Sequence, residues 1–206
     1  MSQIKLKHSG GNGVIIAAPT SNPAADRTLL LPSDGDSTID TLARAGNILQ
    51  VVQDSTTTQT TNTTVTMADT NLSGTITPTS SSSKILVDFM LNCTVGQNGT
   101  LLMMTLTRKI GSGSFAEIDD YLGEADENRN RCSITLVPEH NGYSCNQARL
   151  SFLDSPATTS AVTYGIRVRH DSGSTLTVYI NRNYTDSNHV YIPRPCTVLK
   201  LSEVSA

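Results

Sequence analysis

The sequence predicts an all-β protein: a short N-terminal β segment followed by an antiparallel, jelly-roll-like β-sandwich. Three observations predict it. Short runs in which apolar and polar residues alternate recur along the chain, as expected of strands with one buried and one solvated face. Gly, Pro, Asn, Asp and Ser cluster between those runs as turn chemistry. No long stretch repeats apolar residues at helical spacing. Composition agrees, with 37% hydrophobic and 16% charged residues against averages of about 45–50% and about 25%. Ser, Thr and Asn make up the difference, and their side chains compete for backbone hydrogen bonds inside helices.

Residues 1–46 form a first region. Ile4-Lys5-Leu6-Lys7 alternates as a strand, His8-Ser9-Gly10-Gly11-Asn12-Gly13 is a turn, and Val14-Ile15-Ile16-Ala17-Ala18 is a second strand ended by Pro19. A third apolar run follows at Thr28-Leu29-Leu30-Leu31-Pro32. Three such strands bury too little surface to close a core, so they must pack against something else, and identical copies would serve. Residues 37–45 read as a connector or a helical turn stopped by Gly46.

Residues 47–206 read as the sandwich, with strands expected near 48–53, 62–67, 72–77, 84–93, 101–110, 132–137, 147–153, 161–170, 174–181 and 196–203. Val162, Tyr164, Ile166 and Val168 share one face, and Leu101 to Thr107 has the mixed apolar run of an inner strand. Residues 170–174 read as a hairpin loop joining 161–170 to 174–181. The charged stretch from Glu117 to Arg131 reads as a long acidic loop.

Several functions are disfavoured by the same residues. A net charge of −3 and scattered basic residues do not suit a phosphate backbone, and no nucleic-acid partner is expected. With no Trp and 4% aromatics, stacking platforms are scarce. No apolar run approaches the roughly 18 residues of a membrane helix, nor does the N-terminus carry a secretory signal. The four cysteines, Cys93, Cys132, Cys145 and Cys196, are far apart with no CxxC pair and read as free thiols of a chain made in a reducing cytoplasm. His8, His140, His170 and His189 fall in turns without metal-ligand spacing. Neither metal nor cofactor is expected.

No catalytic constellation stands out. Gly10 to Gly13 lacks the Lys-Ser/Thr of a phosphate loop. Gly142-Tyr143-Ser144-Cys145-Asn146 lacks the second Gly of a nucleophile elbow. Carboxylates gather at Glu117, Asp119, Asp120, Glu124, Asp126 and Glu127, but glycoside cleavage would also want a groove with sugar-stacking rings. Binding residues tend to sit on loops of a rigid scaffold, which makes Tyr121, Arg129, Arg131, Tyr143, Tyr184, Asn188 and His189 the candidates for recognising a saccharide or protein.

The segment from Ile4 to Pro19, with Arg27-Thr28-Leu29-Leu30-Leu31-Pro32-Ser33-Asp34-Gly35, resembles the N-terminal part of tailed-phage fibre and structural proteins, especially of marine and cyanobacterial phages. Ala45-Gly46-Asn47-Ile48-Leu49-Gln50-Val51-Val52-Gln53, the Thr-rich stretch 55–66 and Ser80-Ser81-Ser82-Ser83-Lys84-Ile85-Leu86-Val87 continue the resemblance. Cys196 to Val204 resembles the last strand of such domains and of tumour-necrosis-factor-like jelly rolls. The resemblance implies a homotrimeric virion protein, made in the host cytoplasm, that binds other virion proteins of tail or capsid. Its N-terminal segment would dock and trimerise through Ile4, Leu6, Val14, Ile15, Ile16, Leu29, Leu30 and Leu31, and its head would meet a host-surface saccharide or protein. A shaft is nearly absent, so a capsid decoration or head-fibre protein is the alternative, and a polysaccharide-degrading spike a third.

Overall fold

Alternating hydrophobicity becomes paired strands in the computed structural model, which describes residues 3–7, 9–11, 13–17, 44–139, 143–172 and 176–206. The chain divides into two units, Met1–Ile39 and Asp40–Ala206. In the first, β1 (Gln3–Lys7) and β2 (Gly13–Ala17) form the expected antiparallel hairpin, with Ile4 opposite Ile16 and Leu6 opposite Val14. Gly11 in the turn has φ of 98°, a conformation that glycine adopts without a Cβ penalty. Leu29, Leu30 and Leu31 lie outside the described residues, as does the connector up to residue 43.

The second unit holds β3 (Ile48–Thr56), β4 (Thr60–Asn62), β5 (Ala68–Ile76), β6 (Lys84–Val95), β7 (Leu102–Ile110), β8 (Ala116–Glu117), β9 (Ile134–Leu136), β10 (Asn146–Asp154), β11 (Val162–His170), β12 (Val178–Ile180) and β13 (Thr197–Val204). A 3-10 turn occupies Asp119–Tyr121. One sheet runs β3-β13-β6-β12-β4, and β10 pairs with the other edge of β6. The second runs β5-β11-β7-β8, with β9 also on β7. Every pairing is antiparallel. Residues 44–47 are tied to the last strand, since Gly46 N–H donates to the Ser205 carbonyl (2.8 Å) and Ser205 N–H to that of Asn47 (2.9 Å).

The core fills the space between the sheets. Ile85, Val87, Phe89 and Leu91 of β6 and Leu199 and Leu201 of β13 face Leu102, Met104 and Leu106 of β7 and Val162, Tyr164, Ile166 and Val168 of β11. Full burial of such a side chain contributes about 1.5–3 kcal/mol, so this interdigitated layer holds the unit together. Gly74 of β5 lies where the sheets approach closely: a Cβ there would sit 3.1 Å from Leu199 Cδ2.

Three expectations are corrected. The strand expected at 62–67 is instead β4 followed by a turn, because the Asn62 side chain accepts from Thr64 N–H (2.8 Å) and the Thr64 hydroxyl donates to the Thr66 carbonyl (2.7 Å). Local side-chain bonds there replace the ladder. Strands β11 and β12 are not a hairpin: β11 pairs with β5 and β7, whereas β12 pairs with β4 and β6 in the other sheet. His170 is no turn residue either, but the fully buried last residue of β11. No helix among the described residues is long and apolar enough to cross a membrane.

Candidate functional site

Asn181 sets the geometry of the loop between β12 and β13. It follows β12 with φ of 58°, the left-handed region that asparagine tolerates better than most residues. It is fully buried, and its amide donates to the carbonyls of Thr56 (2.9 Å) and Thr58 (3.0 Å) while its oxygen accepts from the Thr197 hydroxyl (2.5 Å). This turn launches residues 182–196, which carry Tyr184, Asn188 and His189.

That loop is braced. Arg182 stacks over the Tyr179 ring at 4.8 Å and reaches Asp186 at 3.7 Å, and Arg194 meets the same carboxylate at 3.0 Å. The Gln59 amide, oriented with its oxygen toward Arg194, accepts a further bond of 2.8 Å. Tyr184 meets Tyr179 edge-on, with centroids 5.8 Å apart, and packs on Gly96, where a Cβ would come within 3.2 Å of its ring. Buried Asn183 donates to the Tyr143 carbonyl at 2.6 Å, bringing the 143–145 segment alongside. At the tip, Ile192 N–H donates to the His189 carbonyl (3.0 Å), and the His189 and Tyr191 rings lie 5.0 Å apart.

The result is a braced, tyrosine-bearing loop near the Val95 end of β6. Four of the six tyrosines, Tyr143, Tyr179, Tyr184 and Tyr191, are placed by these contacts on one loop or beside it. Tyr143 is 57% exposed, Tyr191 73% and neighbouring Val190 90%. Aromatic side chains are scarce in the chain as a whole, yet dense here. Tyrosine combines apolar contact area with a hydrogen-bonding tip and few rotatable bonds, which suits recognition. Sequence reasoning named Tyr143, Tyr184, Asn188 and His189 but missed Tyr179, Val190, Tyr191 and the bracing arginines. Tyr179 lies within a strand, and nothing in its spacing tells which loop it will stand beside.

The other candidates lie elsewhere. Tyr121 is half-buried on the 3-10 turn, its ring 4.3 Å from Phe152 and its hydroxyl donating to the Leu153 carbonyl (2.5 Å). It fastens the 117–131 loop to β10. Arg131 donates to the Gly123 carbonyl (2.7 Å) and Asp119 (3.2 Å), and exposed Arg129 pairs with Asp126 at 3.1 Å. Leu153 stands opposite Leu86 in the ladder, and at about 3.3 Å per residue that is roughly 30 Å along β6 from Gly96. The candidates thus form two groups.

The four cysteines are free thiols; burial pushes Cys145 up to about 11 and fully buried Cys93 higher still, leaving little thiolate for chemistry. Among the described residues no three His, Cys, Asp or Glu side chains are grouped to hold a metal ion.

No protein-family model and no curated protein matches the chain. Solved structures are similar over most of it. A structure of the infectious bursal disease virus Gt strain has a TM-score of 0.41 at 15% identity, covering 94% of this chain and 48% of that one. The Gx strain structure gives 0.36 at 12%, covering 93% and 50%. A VP2 subviral particle of the same virus gives 0.37 at 13%, covering 94% and 48%. The chain spans about half the length of these solved chains, and similarity at this level does not bear on what it does.

Proposed function

We propose that the chain is a non-enzymatic virion attachment protein, a short trimeric fibre or spike. It docks to the particle by its N-terminal segment and binds a host-surface saccharide or protein by its head. The observation that carries the host-binding part is the braced tyrosine surface: exposed rings on a loop held by two ion pairs and a buried asparagine. A rigid platform loses little entropy on binding. The N-terminal hairpin supports the docking part, because two five-residue strands are too small to be stable alone, and 60%-exposed Leu6 offers apolar surface for a partner. The resemblance of residues 4–53 to phage fibre proteins supplies the virion context.

The test is adsorption and localisation together. Purified full-length protein is expected to sediment as a trimer at micromolar concentration and to bind host cells. Tyr191→Ala combined with Tyr184→Ala is expected to reduce cell binding about tenfold or more, given that interface tyrosines often contribute over 1 kcal/mol. Immunogold labelling of particles is expected at the tail. Labelling over the capsid shell, with no cell binding by the free protein, overturns this reading in favour of a capsid decoration protein.

A further inference from the structure

We infer that the head carries a second, separate binding site, a pocket for a carboxylated saccharide between the 117–131 loop and the outer face of β11. The ligand class rests on the attachment reading for its source, while the site itself rests on geometry. A pocket of about 350 Å³ opens there, within the range of about 300–1,000 Å³ usual for small-ligand sites. Its walls come from four stretches of sequence, around Met67, Glu117 to Leu122, Arg129 to Arg131, and Arg169. Only folding brings them together.

Three guanidinium groups line it: Arg129, Arg131 and Arg169. All three have protein partners, Arg129 through its ion pair with Asp126. Arg131 is fixed by the Gly123 carbonyl and Asp119. Arg169 donates to the Asn130 side chain at 2.9 Å and to the His170 carbonyl at 3.4 Å. Each guanidinium has five N–H donors, so each of these two keeps donors for a ligand after its protein bonds are made. Arg129 stands at the rim, 81% exposed. A planar guanidinium fork matches a carboxylate bidentately.

The remaining walls narrow the class. Glu117 and Asp119 also line the pocket, and they accept from donors such as sugar hydroxyls. Glu117 and Asp119 repel a densely charged polyanion, and with Arg129 already paired to Asp126 the donors left on Arg131 and Arg169 suit a single carboxylate. Met67 and Leu122 add apolar surface for the C–H face of a pyranose. Sparse negative charge, many hydroxyls and an apolar ring face describe a uronic-acid sugar. A site that reads its ligand by arginine does not need the tryptophan that the chain lacks.

Calorimetry of the full chain with tetragalacturonate, maltotetraose and a sulfated tetrasaccharide tests this. Tetragalacturonate is expected to bind, maltotetraose not, and the sulfated sugar about tenfold more weakly or not at all. Arg131→Lys keeps the charge but loses the fork, and Arg169→Gln removes a charge on a strand. Each is expected to weaken binding about tenfold with an unchanged melting curve, whereas Arg149→Ala, on the other sheet, leaves binding unchanged. Absence of tetragalacturonate binding, equal binding of maltotetraose, or binding indifferent to both variants overturns the inference. The attachment reading fails separately: a protein that binds tetragalacturonate through Arg131 and Arg169 yet does not adhere to cells keeps this site and loses that role. Adhesion that depends on Tyr184 and Tyr191 without galacturonate binding does the reverse.

Discussion

Glu203 occupies an inward position of β13, where the alternation that buries Leu199 and Leu201 calls for an apolar side chain. Burial alone would raise its pKa, but donors from Gln50 (2.6 Å) and from the Thr79 hydroxyl and N–H (2.7 Å each) outweigh it and hold the carboxyl down at about 2, against an ordinary 4.5. A carboxylate with a depressed folded-state pKa stabilises the fold above its unfolded pKa and ceases to as pH falls through the folded one. Urea unfolding should therefore lose stability between about pH 4.5 and pH 2. Glu203→Gln is expected to cost about 2 kcal/mol at pH 7 and to flatten that dependence; an unchanged acid slope in the variant would show that Glu203 is not its source. Asp154 is the other buried carboxylate among the described residues. It ends β10, receives the Tyr164 hydroxyl at 2.7 Å and Arg108 at 2.6 Å, and so clasps the two sheets together. Removing one partner of a buried pair leaves the other uncompensated, so Asp154→Asn should cost about 3 kcal/mol in denaturant unfolding. The double change Asp154→Leu with Arg108→Met should recover part of that loss. Neither partnership is visible in sequence, because the partners come from other strands and, for Thr79, from the loop between β5 and β6.

At the scale of elements, the loop from 182 to 196 shows how irregular backbone is made rigid. Its order comes from Asp186 bridging Arg182 and Arg194, and from Asn181 beneath it. Asp186→Ala removes both ion pairs at an exposed position, where each is worth up to about 1 kcal/mol. Amide exchange of residues 184–194 should then accelerate while the β6 and β11 amides stay protected; uniform acceleration would mean that the bridge serves the whole fold. Asn181→Ala should be more damaging, since it strains a left-handed residue and removes the buried amide that holds the Thr56 and Thr58 carbonyls and accepts from Thr197. The long strands were legible because their alternation is strict, as in Val162 to Val168. The turn at 63–67 was not: its residues have good strand propensity, and the local bonds of the Asn62 and Thr64 side chains divert them. The apparent hairpin at 170–174 misled for a related reason. A short turn between two alternating runs looks the same whether the second run returns to the same sheet or crosses to the other.

For the whole molecule, the two-sheet arrangement sorts reactive groups by depth. Cys93 lies in the core and Cys145 is partly covered, so both should react slowly with an aromatic disulfide reagent in native protein and rapidly in denaturant. Prompt native labelling of Cys93 would mean that the sandwich opens readily. What the sequence by itself determined was the fold class, most strand positions and the inward-facing residues, because strand periodicity and turn chemistry are local properties. The tertiary structure alone decided which strands share a sheet, that Tyr179 and Tyr184 meet with Tyr143 held alongside through Asn183, and that Arg129, Arg131 and Arg169 line one pocket. Those groupings depend on pairings between residues far apart in the chain, where the energy lies in contacts that no local pattern encodes.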